Sequence, residues 1–532
     1  MPLGRLARGL ACISCRRRKI ACNGVRPVCG ECSRKGYEED CEYTDQAEPT
    51  RTEMLEETIA ILESRIRGLE QGGLESNAQS SAARSGTLEF KNTSLSMGPF
   101  SETDDLPPDV SNMLINLFLP HATQLGFAID IPRFKTSLTF PRTHPHYPHS
   151  TILNSIYIWS LRLSNSPDLL PLEHHFLQKA LDAVKDAVGS NQPKDRIHVI
   201  QAEVLLSNYF FVAGRFLEGR YHSSAAASLA MGSGLHRSPF ALAVEPRSHG
   251  RSQGLVGKVD TFTIPPPADN TDAGDRTNVF WSVFNVDQCW SAIMGERPVI
   301  SEDPATLGMQ IDAPWPSDSG IELRSNVNST YSRTVIGFLS GATTSFSESA
   351  ISTVSSLAVR AQTSAIFQFA TNSARQSDPR SPRDVANLRT ISRNVEFYIN
   401  ALPNLSSLPM EDLPAHIVAR TLGYAALIQL TESAARSDQG AHSLALRSAR
   451  SIVELAELAA ASGGIFLDPI VSGIWSLATN VFAQDAARRR SYRGMPQTGD
   501  VPRVRAALGT MNEMFPSTAN QIDRALEALR GL

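Results

Sequence analysis

Apolar residues recur at every third or fourth position through much of residues 106–532, and this spacing predicts long helices. Residues 195–212 show the pattern and end near Gly214, and residues 216–233 repeat it up to Gly234. Glycine at these points is typical of a helix end, because it adopts the left-handed conformation without strain. The two segments together therefore predict a helical hairpin.

The same periodicity predicts helices over 278–294 and over 448–461, the second stopping at a Gly-Gly pair at 463–464. Proline, glycine and charged residues predict three loops, at 247–275, 312–319 and 375–383. Few segments alternate as strands do. The sequence therefore predicts a mostly α chain whose large region is all-α.

A different periodicity, with alternating steps of four and three, occupies residues 50–70. Thr50 and Glu53 have the spacing of a helix capping box. Two Ile and three Leu then form a seam that favours a parallel two-stranded coiled coil: Leu55, Ile59, Leu62, Ile66 and Leu69. We predict a homodimerisation helix, weakened by up to about 1 kcal/mol by Gly68. An amphipathic helix docked on its own chain is the alternative.

Composition completes the division of the chain. Residues 71–105 are rich in Ser, Gly, Asn and Thr and poor in large apolar residues, as in a flexible linker. Hydrophobic residues make up 42% of the whole chain, which is enough for a large core. We therefore expect a head at 1–45, a coil at 50–70, a linker at 71–105 and a helical domain at 106–532.

Charge is segregated although the net charge is only -4. Residues 1–37 contain nine basic residues and one acid, whereas residues 38–48 contain six acids and no base. A basic head on a neutral body is the electrostatic pattern expected for binding a polyanion.

Six of the seven cysteines lie in the same head. The first ten residues do not have the apolar core of a signal peptide, and the best apolar stretch, 469–484, is too short and polar to span a membrane. We therefore expect an intracellular chain with reduced thiols, in which clustered cysteines bind metal more often than they form disulfides.

The cysteine spacing is C-x2-C-x6-C-x6-C-x2-C-x8-C. The head contains two similar half-units, and each begins with a C-x2-C pair that is followed by basic residues. Zinc takes four thiolates, so two zinc ions need eight ligand positions, which six cysteines supply only if two of them bridge. The ligands predicted are Cys12, Cys15, Cys22, Cys29, Cys32 and Cys41. A disulfide knot, and a RING-like or LIM-like module with eight ligands, are the alternatives.

The run ACISCRRRKIACNGVRPVCGEC at 11–32 resembles the fungal zinc binuclear cluster, or Zn(2)-C6, DNA-binding domain. The resemblance implies that Cys12 and Cys29 bridge two zinc ions. It further implies that Cys15 and Cys22 complete one site, and that Cys32 and Cys41 complete the other. Pro27 matches the family's loop proline, which is usually cis.

Four consecutive basic residues, Arg16, Arg17, Arg18 and Lys19, are the predicted DNA contacts. Side chains of this length reach phosphates and the guanine edge in the major groove. By resemblance, Lys19 and Arg18 read bases of a CGG triplet and Arg16 contacts phosphate. Ala21 departs from the family's usual Lys or Arg, at a position expected in the helix end against the DNA backbone. A solvated face or a nuclear-import signal is the alternative for this run.

Two motifs of the large region, at 231–237 and at 281–300, resemble the helical regulatory domain of fungal zinc-cluster factors, often called the middle homology region. Within them we expect His236 to be packed or hydrogen-bonded and Asp287 to form a structural ion pair near Arg297. Cys289 is expected in the core, with redox sensing as the alternative. The sequence shows no phosphate loop, nucleophile triad or histidine–carboxylate metal set, so an enzyme is not expected.

The sequence therefore predicts a nuclear, zinc-dependent transcription factor of RNA polymerase II genes. Its expected partners are double-stranded DNA, a second copy of the chain and transcription machinery or co-regulators, with no membrane. The resemblance implies control of metabolic or biosynthetic genes. A zinc-stabilised nuclear adaptor without sequence-specific DNA binding is the alternative.

Overall fold

The computed structural model describes residues 11–38, 41, 43, 106–164, 170–188, 193–238, 264–301, 309–316, 333–347, 351, 354–462 and 468–491. The chain divides between Ser85 and Gly86 into two compact units. The predicted coil at 50–70 and linker at 71–105 lie outside the described residues, so both stay predictions.

The described residues of the first unit form two short helices, α1 (Ile13–Arg17) and α2 (Gly30–Arg34). The buried interior of this unit consists mainly of cysteine side chains. Cys12, Cys15, Cys29 and Cys32 are each at most 2% exposed. Among the described residues of this unit, the partly buried residues that pack against them are Ile20, Cys22, Val28 and Tyr43. The fold of this unit therefore depends on what holds its thiols together.

The second unit is helical, and its described residues contain no strand, which confirms the predicted all-α class. Its helices are α3 (Pro108–Phe118), α4 (Ile131–Ser137), α5 (Ser150–Leu163), α6 (Leu170–Ala187), α7 (Pro193–Val212), α8 (Phe216–Gly232), α9 (Asn270–Met294), α10 (Thr334–Thr343), α11 (Ser356–Gln376), α12 (Pro382–Ala401), α13 (Leu413–Thr431), α14 (Gln439–Ala461) and α15 (Ile470–Ser491).

The predicted hairpin is present as α7 and α8. Gly214 joins the two helices at φ 72°, and Gly234 closes α8 at φ 80°. The Leu235 amide donates to the Ala230 carbonyl, so the glycine lets the chain reverse and satisfy a carbonyl of the last turn.

Helix α9 begins at Asn270, eight residues before the predicted start. The loop predicted at 247–275 was therefore wrong over its last six residues, 270–275, which are helical. The Asp269 carboxylate caps the first turn by accepting the Asp272 amide at 2.6 Å. The helix ends where the sequence predicted, because Gly295 adopts φ 79°.

Two other helices also begin outside the predicted bounds. Helix α12 starts at Pro382, capped by Ser381, so the loop predicted over 375–383 is shorter than expected. Helix α14 starts at Gln439 rather than at residue 448, because the Asp438 carboxylate caps its polar first turn. Residues 309–316 have no regular structure, as predicted for the start of the loop at 312–319.

One core joins the helices of the second unit. Helix α9 packs on α7, α8 and α11, and α11 packs on α13, which also contacts α14 and α15. The described helices include none that is long and apolar enough to cross a membrane. Helices α7, α9, α11 and α13 thereby come together around the middle of the unit.

Candidate zinc centre and nucleic-acid interface

Each helix of the first unit begins at a cysteine that caps it. The Cys15 amide donates to the Cys12 Sγ at 3.4 Å, and the Cys32 amide donates to the Cys29 Sγ at 3.3 Å. The C-x2-C spacing therefore places two sulfurs on the first turn of each helix. The two half-units predicted from the repeat are present.

Four thiols meet at the centre of this unit. The Cys12 Sγ lies 3.8 Å from both the Cys29 and the Cys32 sulfurs, and the Cys15 Sγ lies 3.6 Å from Cys29 and 3.9 Å from Cys32. A zinc–sulfur bond of about 2.3 Å in a tetrahedron sets the sulfurs about 3.8 Å apart. The thiol spacing thus fits zinc coordination.

The other two predicted ligands flank this group. Cys41 is buried, and its Sγ accepts the Cys29 amide at 3.1 Å. Cys22 is half-buried, with its Sγ 3.8 Å from the Tyr43 hydroxyl. The donor set is sulfur alone, which suits zinc and disfavours hard cations. A two-ion cluster does not require all six sulfurs to be mutually close, because each ion contacts only four.

Burial raises the pKa of the Cys12 thiol and raises that of Cys15 to about 12, whereas hydrogen bonds outweigh burial and lower the pKa of Cys29 and Cys32. A cation among the four sulfurs would favour the charged form of each thiol, including Cys12 and Cys15, which burial otherwise keeps protonated.

The loop between the half-units is held by Tyr43. Its hydroxyl donates to the Val25 carbonyl at 2.9 Å, and the Arg26 guanidinium lies 4.7 Å from the centre of its ring. The Arg26–Pro27 peptide bond is cis, as the resemblance implied.

The basic run is exposed along its whole length, and it extends past the end of α1. Arg16 and Arg17 form the last turn, and Arg18 is the capping residue. Lys19 follows with φ 54°, in the left-handed region. The chain therefore turns at the residue for which the sequence predicts base contact.

Tyr37 is a residue that sequence reasoning missed. The Arg18 guanidinium lies 3.5 Å from the centre of the Tyr37 ring, and the Tyr37 amide donates to the Cys32 carbonyl at 2.9 Å. The second half-unit thereby supports a side chain of the first. An aromatic residue five positions after the predicted ligand Cys32 was the available signal.

The expected position of Ala21 in the helix end was wrong, whereas its position relative to DNA stays a prediction. Helix α1 ends at Arg17, and Ala21 lies four residues later in exposed, non-helical chain, because the Ile20 amide closes the turn on the Cys15 carbonyl.

The expected partner of Asp287 in the second unit was also wrong. Asp287 is fully buried and pairs with Arg220 of α8 at 2.9 Å, while Arg297 contributes only its carbonyl, which accepts a hydrogen bond from Arg220 at 2.7 Å. His236 is buried, as expected, and its carbonyl accepts two backbone amides. Cys289 is buried in the core, as expected, with the Arg360 Nη1 at 3.7 Å from its sulfur.

Known families match both units. The family described as fungal Zn(2)-Cys(6) binuclear cluster domain matches residues 10–50. The family described as fungal specific transcription factor domain matches residues 129–398. These are families of transcription factors and not of enzymes, in agreement with the sequence prediction.

Curated relatives are also fungal. The notoamide biosynthesis cluster transcriptional coactivator of Aspergillus versicolor is 24% identical over 313 residues, which cover 56% of this chain and 55% of that protein. The transcriptional activator protein acu-15 of Neurospora crassa is 41% identical over 64 residues, 11% of this chain and 7% of that protein. The heme-responsive zinc finger transcription factor of Saccharomyces cerevisiae is 33% identical over 99 residues, 18% of this chain and 6% of that protein.

The chain thus spans about half the length of the first of these relatives and a small part of the other two. No solved structure matches the chain. The match over residues 129–398 covers just over half of the 532 residues. The chain therefore belongs to the fungal-specific transcription factor family and carries that family's two-zinc Zn(2)-Cys(6) cluster domain within residues 10–50.

Proposed function

We propose that this chain is a zinc-dependent, sequence-specific DNA-binding regulator of RNA polymerase II transcription. The observation that carries the proposal is the exposed basic run that leads from α1 past its cap, beside the thiol cluster. Long cationic side chains anchored on so small a unit reach both phosphates and the guanine edge.

In this proposal Cys12 and Cys29 bridge the two zinc ions, Cys15 and Cys22 complete one site, and Cys32 and Cys41 complete the other. The assignment follows from the family resemblance. Bridging by Cys29 is compatible with its sulfur lying within 3.8 Å of both Cys12 and Cys15, but the Cys15 and Cys32 sulfurs are equally close, at 3.9 Å. The zinc ions supply the structural core, and the protein presents the basic side chains.

Lys19 is the residue to which we assign base contact, with Arg18 beside it and with Arg16 and Arg17 contacting phosphates. The equivalent residue after α2 is Gly36, at φ 70°. A lysine in the left-handed region costs about 1–2 kcal/mol that glycine does not. The first half-unit therefore retains a costly side chain where the second has none, which supports a functional role for that side chain.

The remaining parts of the proposal rest on the family and the sequence. The chain acts in the nucleus, pairs with a second copy through Leu55, Ile59, Leu62, Ile66 and Leu69, and reads CGG-type half-sites. Co-regulators of transcription are its further partners. The first relative is a biosynthesis-cluster coactivator, which favours biosynthetic genes as targets.

The test replaces Lys19 by glycine in the full chain. Because glycine fits the observed φ, the zinc content should stay at about two ions per chain, the number that six thiolates support. Affinity for a CGG-containing duplex should fall by roughly 5- to 150-fold, the equivalent of about 1–3 kcal/mol for a lost base contact. Affinity for scrambled DNA should fall much less.

The matched control is Lys35→Ala, which removes an exposed lysine at the capping position of α2. It should lower affinity for both duplexes similarly or not at all. An equal loss on both duplexes in Lys19→Gly would reduce Lys19 to a phosphate contact. If the zinc-loaded wild-type chain binds the CGG-containing and scrambled duplexes equally well, the alternative function, a zinc-stabilised nuclear adaptor without sequence-specific DNA binding, would be favoured.

A further inference from the structure

The helical unit contains a partly open cavity of about 70 Å³ among α7, α9, α11 and α13, lined on one side by residues of the segment 123–128. Phe127, Trp281, Val286, Leu357 and Val418 provide much of its apolar wall. The cavity lies in the second unit and has no part in the zinc cluster or in DNA contact.

A stripe of polar residues on α9 faces this apolar space. Asn278, Ser282 and Asn285 are spaced i, i+4 and i+7, so they lie on one side of the helix, and all three line the cavity. The Ser282 hydroxyl donates to the Gly126 carbonyl at 2.6 Å, and the Asn285 Oδ1 accepts the Ser364 hydroxyl at 2.8 Å. The protein thus satisfies these two polar groups itself, as buried polar groups require.

Asn208 of α7 adds an unsatisfied group to the same wall. Its side-chain amide donates to the Leu125 carbonyl at 2.9 Å, but its Oδ1 has no hydrogen-bond partner, and the residue is only 2% exposed. Native proteins rarely leave a buried acceptor unpaired. A molecule in the cavity that carries a hydrogen-bond donor would satisfy the Asn208 Oδ1 acceptor.

The charges of the wall already balance. Arg360 donates to the Asp468 carboxylate at 2.7 Å, and both residues line the cavity. A charged molecule would either break this pair or add an uncompensated charge to a buried space. The occupant that suits the wall is therefore uncharged.

We propose that this cavity binds a small uncharged molecule that donates a hydrogen bond to Asn208 through an amide or hydroxyl group and packs its apolar part against Trp281 and Val286. The volume limits the buried part of the molecule to a few non-hydrogen atoms. The proposal does not depend on the DNA-binding function.

Three probes of nearly the same shape test this chemistry. Propionamide has a donor, 2-butanone has none, and propionate is charged. Binding to the full chain is measured by saturation-transfer NMR with titration. Propionamide should bind at least about fivefold more tightly than 2-butanone, the ratio expected for one hydrogen bond, and propionate should not bind. Equal binding of the three, or none by propionamide, would overturn the proposal.

Ala415→Leu fills the cavity from α13 and should abolish propionamide binding. The matched control is Ala461→Leu, which adds the same side chain at the exposed last residue of α14. Circular dichroism checks that both variants stay folded. Asn208→Leu is a second variant, which should remove the preference for propionamide over 2-butanone. Propionamide binding that persists equally in folded Ala415→Leu, or an unchanged preference in Asn208→Leu, would place the probe elsewhere and refute the site.

Discussion

The buried pair of Arg220 and Asp287 makes the strongest stability prediction for the helical unit. The Asp287 carboxylate is 0% exposed and accepts the Val299 amide at 3.0 Å, the Ile300 amide at 2.8 Å and the Arg220 Nη1 at 2.9 Å. It thereby ties the chain after α9 and the side of α8 to the middle of α9. Arg220→Met removes the cation and keeps most of the packing volume.

Removing one partner of a buried ion pair costs about 3–5 kcal/mol, because the remaining charge is left uncompensated. The Arg220 side chain is 14% exposed, and two backbone amides still contact Asp287 in the variant. Both facts place the expected loss in the free energy of unfolding at the lower end, about 3 kcal/mol.

The loss should shrink as the pH falls. Burial raises the pKa of Asp287, whereas the backbone amides and Arg220 lower it, so losing Arg220 raises that pKa further. A carboxyl whose folded-state pKa lies above its unfolded value binds its proton more tightly in the folded state. Protonation therefore stabilises the folded variant as the pH falls through the folded-state pKa towards about 4.

Urea denaturation of the full chain at about pH 7 and about pH 5 measures the effect. The control is Arg447→Met, which breaks a pair with Glu396 whose side chains are 62% and 41% exposed, and which should cost less than about 1 kcal/mol. A loss below about 1 kcal/mol in Arg220→Met, or an equal loss at both pH values, would show that the pair does not carry the stability assigned to it.

Three other predictions follow, two from single contacts in the structure and one from the coil that the sequence predicts at 50–70. Tyr37→Leu should lower the affinity for the CGG duplex by several-fold because it removes the ring that the Arg18 guanidinium contacts, whereas Tyr37→Phe should preserve it; equal losses in a DNA titration would exclude the ring contact. Gly126→Ala should lower the free energy of unfolding by about 1–3 kcal/mol, because its Cβ would lie 2.9 Å from Val204 at φ 88°, and an unchanged urea midpoint would contradict this. Leu62→Pro should abolish cooperative binding to paired half-sites and dimerisation in ultracentrifugation; a dimeric variant would assign pairing elsewhere.

Local features of this chain were readable from the sequence. The cysteine spacing predicted the zinc cluster, because each C-x2-C pair acts within one helical turn. The α7–α8 hairpin was readable because Gly214 and Gly234 mark helix ends by a property of glycine itself.

Features that depend on distant contacts were not readable. The first two turns of α9 are polar, so apolar periodicity could not reveal a start set by the Asp269 cap. Asp287 pairs with a residue 67 positions away, although Arg297 is closer in sequence. Tyr37 contacts Arg18 only because the thiols bring the two half-units together.

Because the interior of the first unit consists of metal-binding sulfurs, the stability of this unit depends on the concentration of free zinc. A protein that folds by binding ions gains stability in proportion to the logarithm of their free concentration. Each tenfold fall in free zinc therefore removes about 1.4 kcal/mol per ion, or about 2.8 kcal/mol for two ions. The hydrocarbon core of the helical unit has no such dependence. In a zinc-starved cell the helical unit would remain folded while the head lost its structure, and with it the DNA binding that we propose for the head.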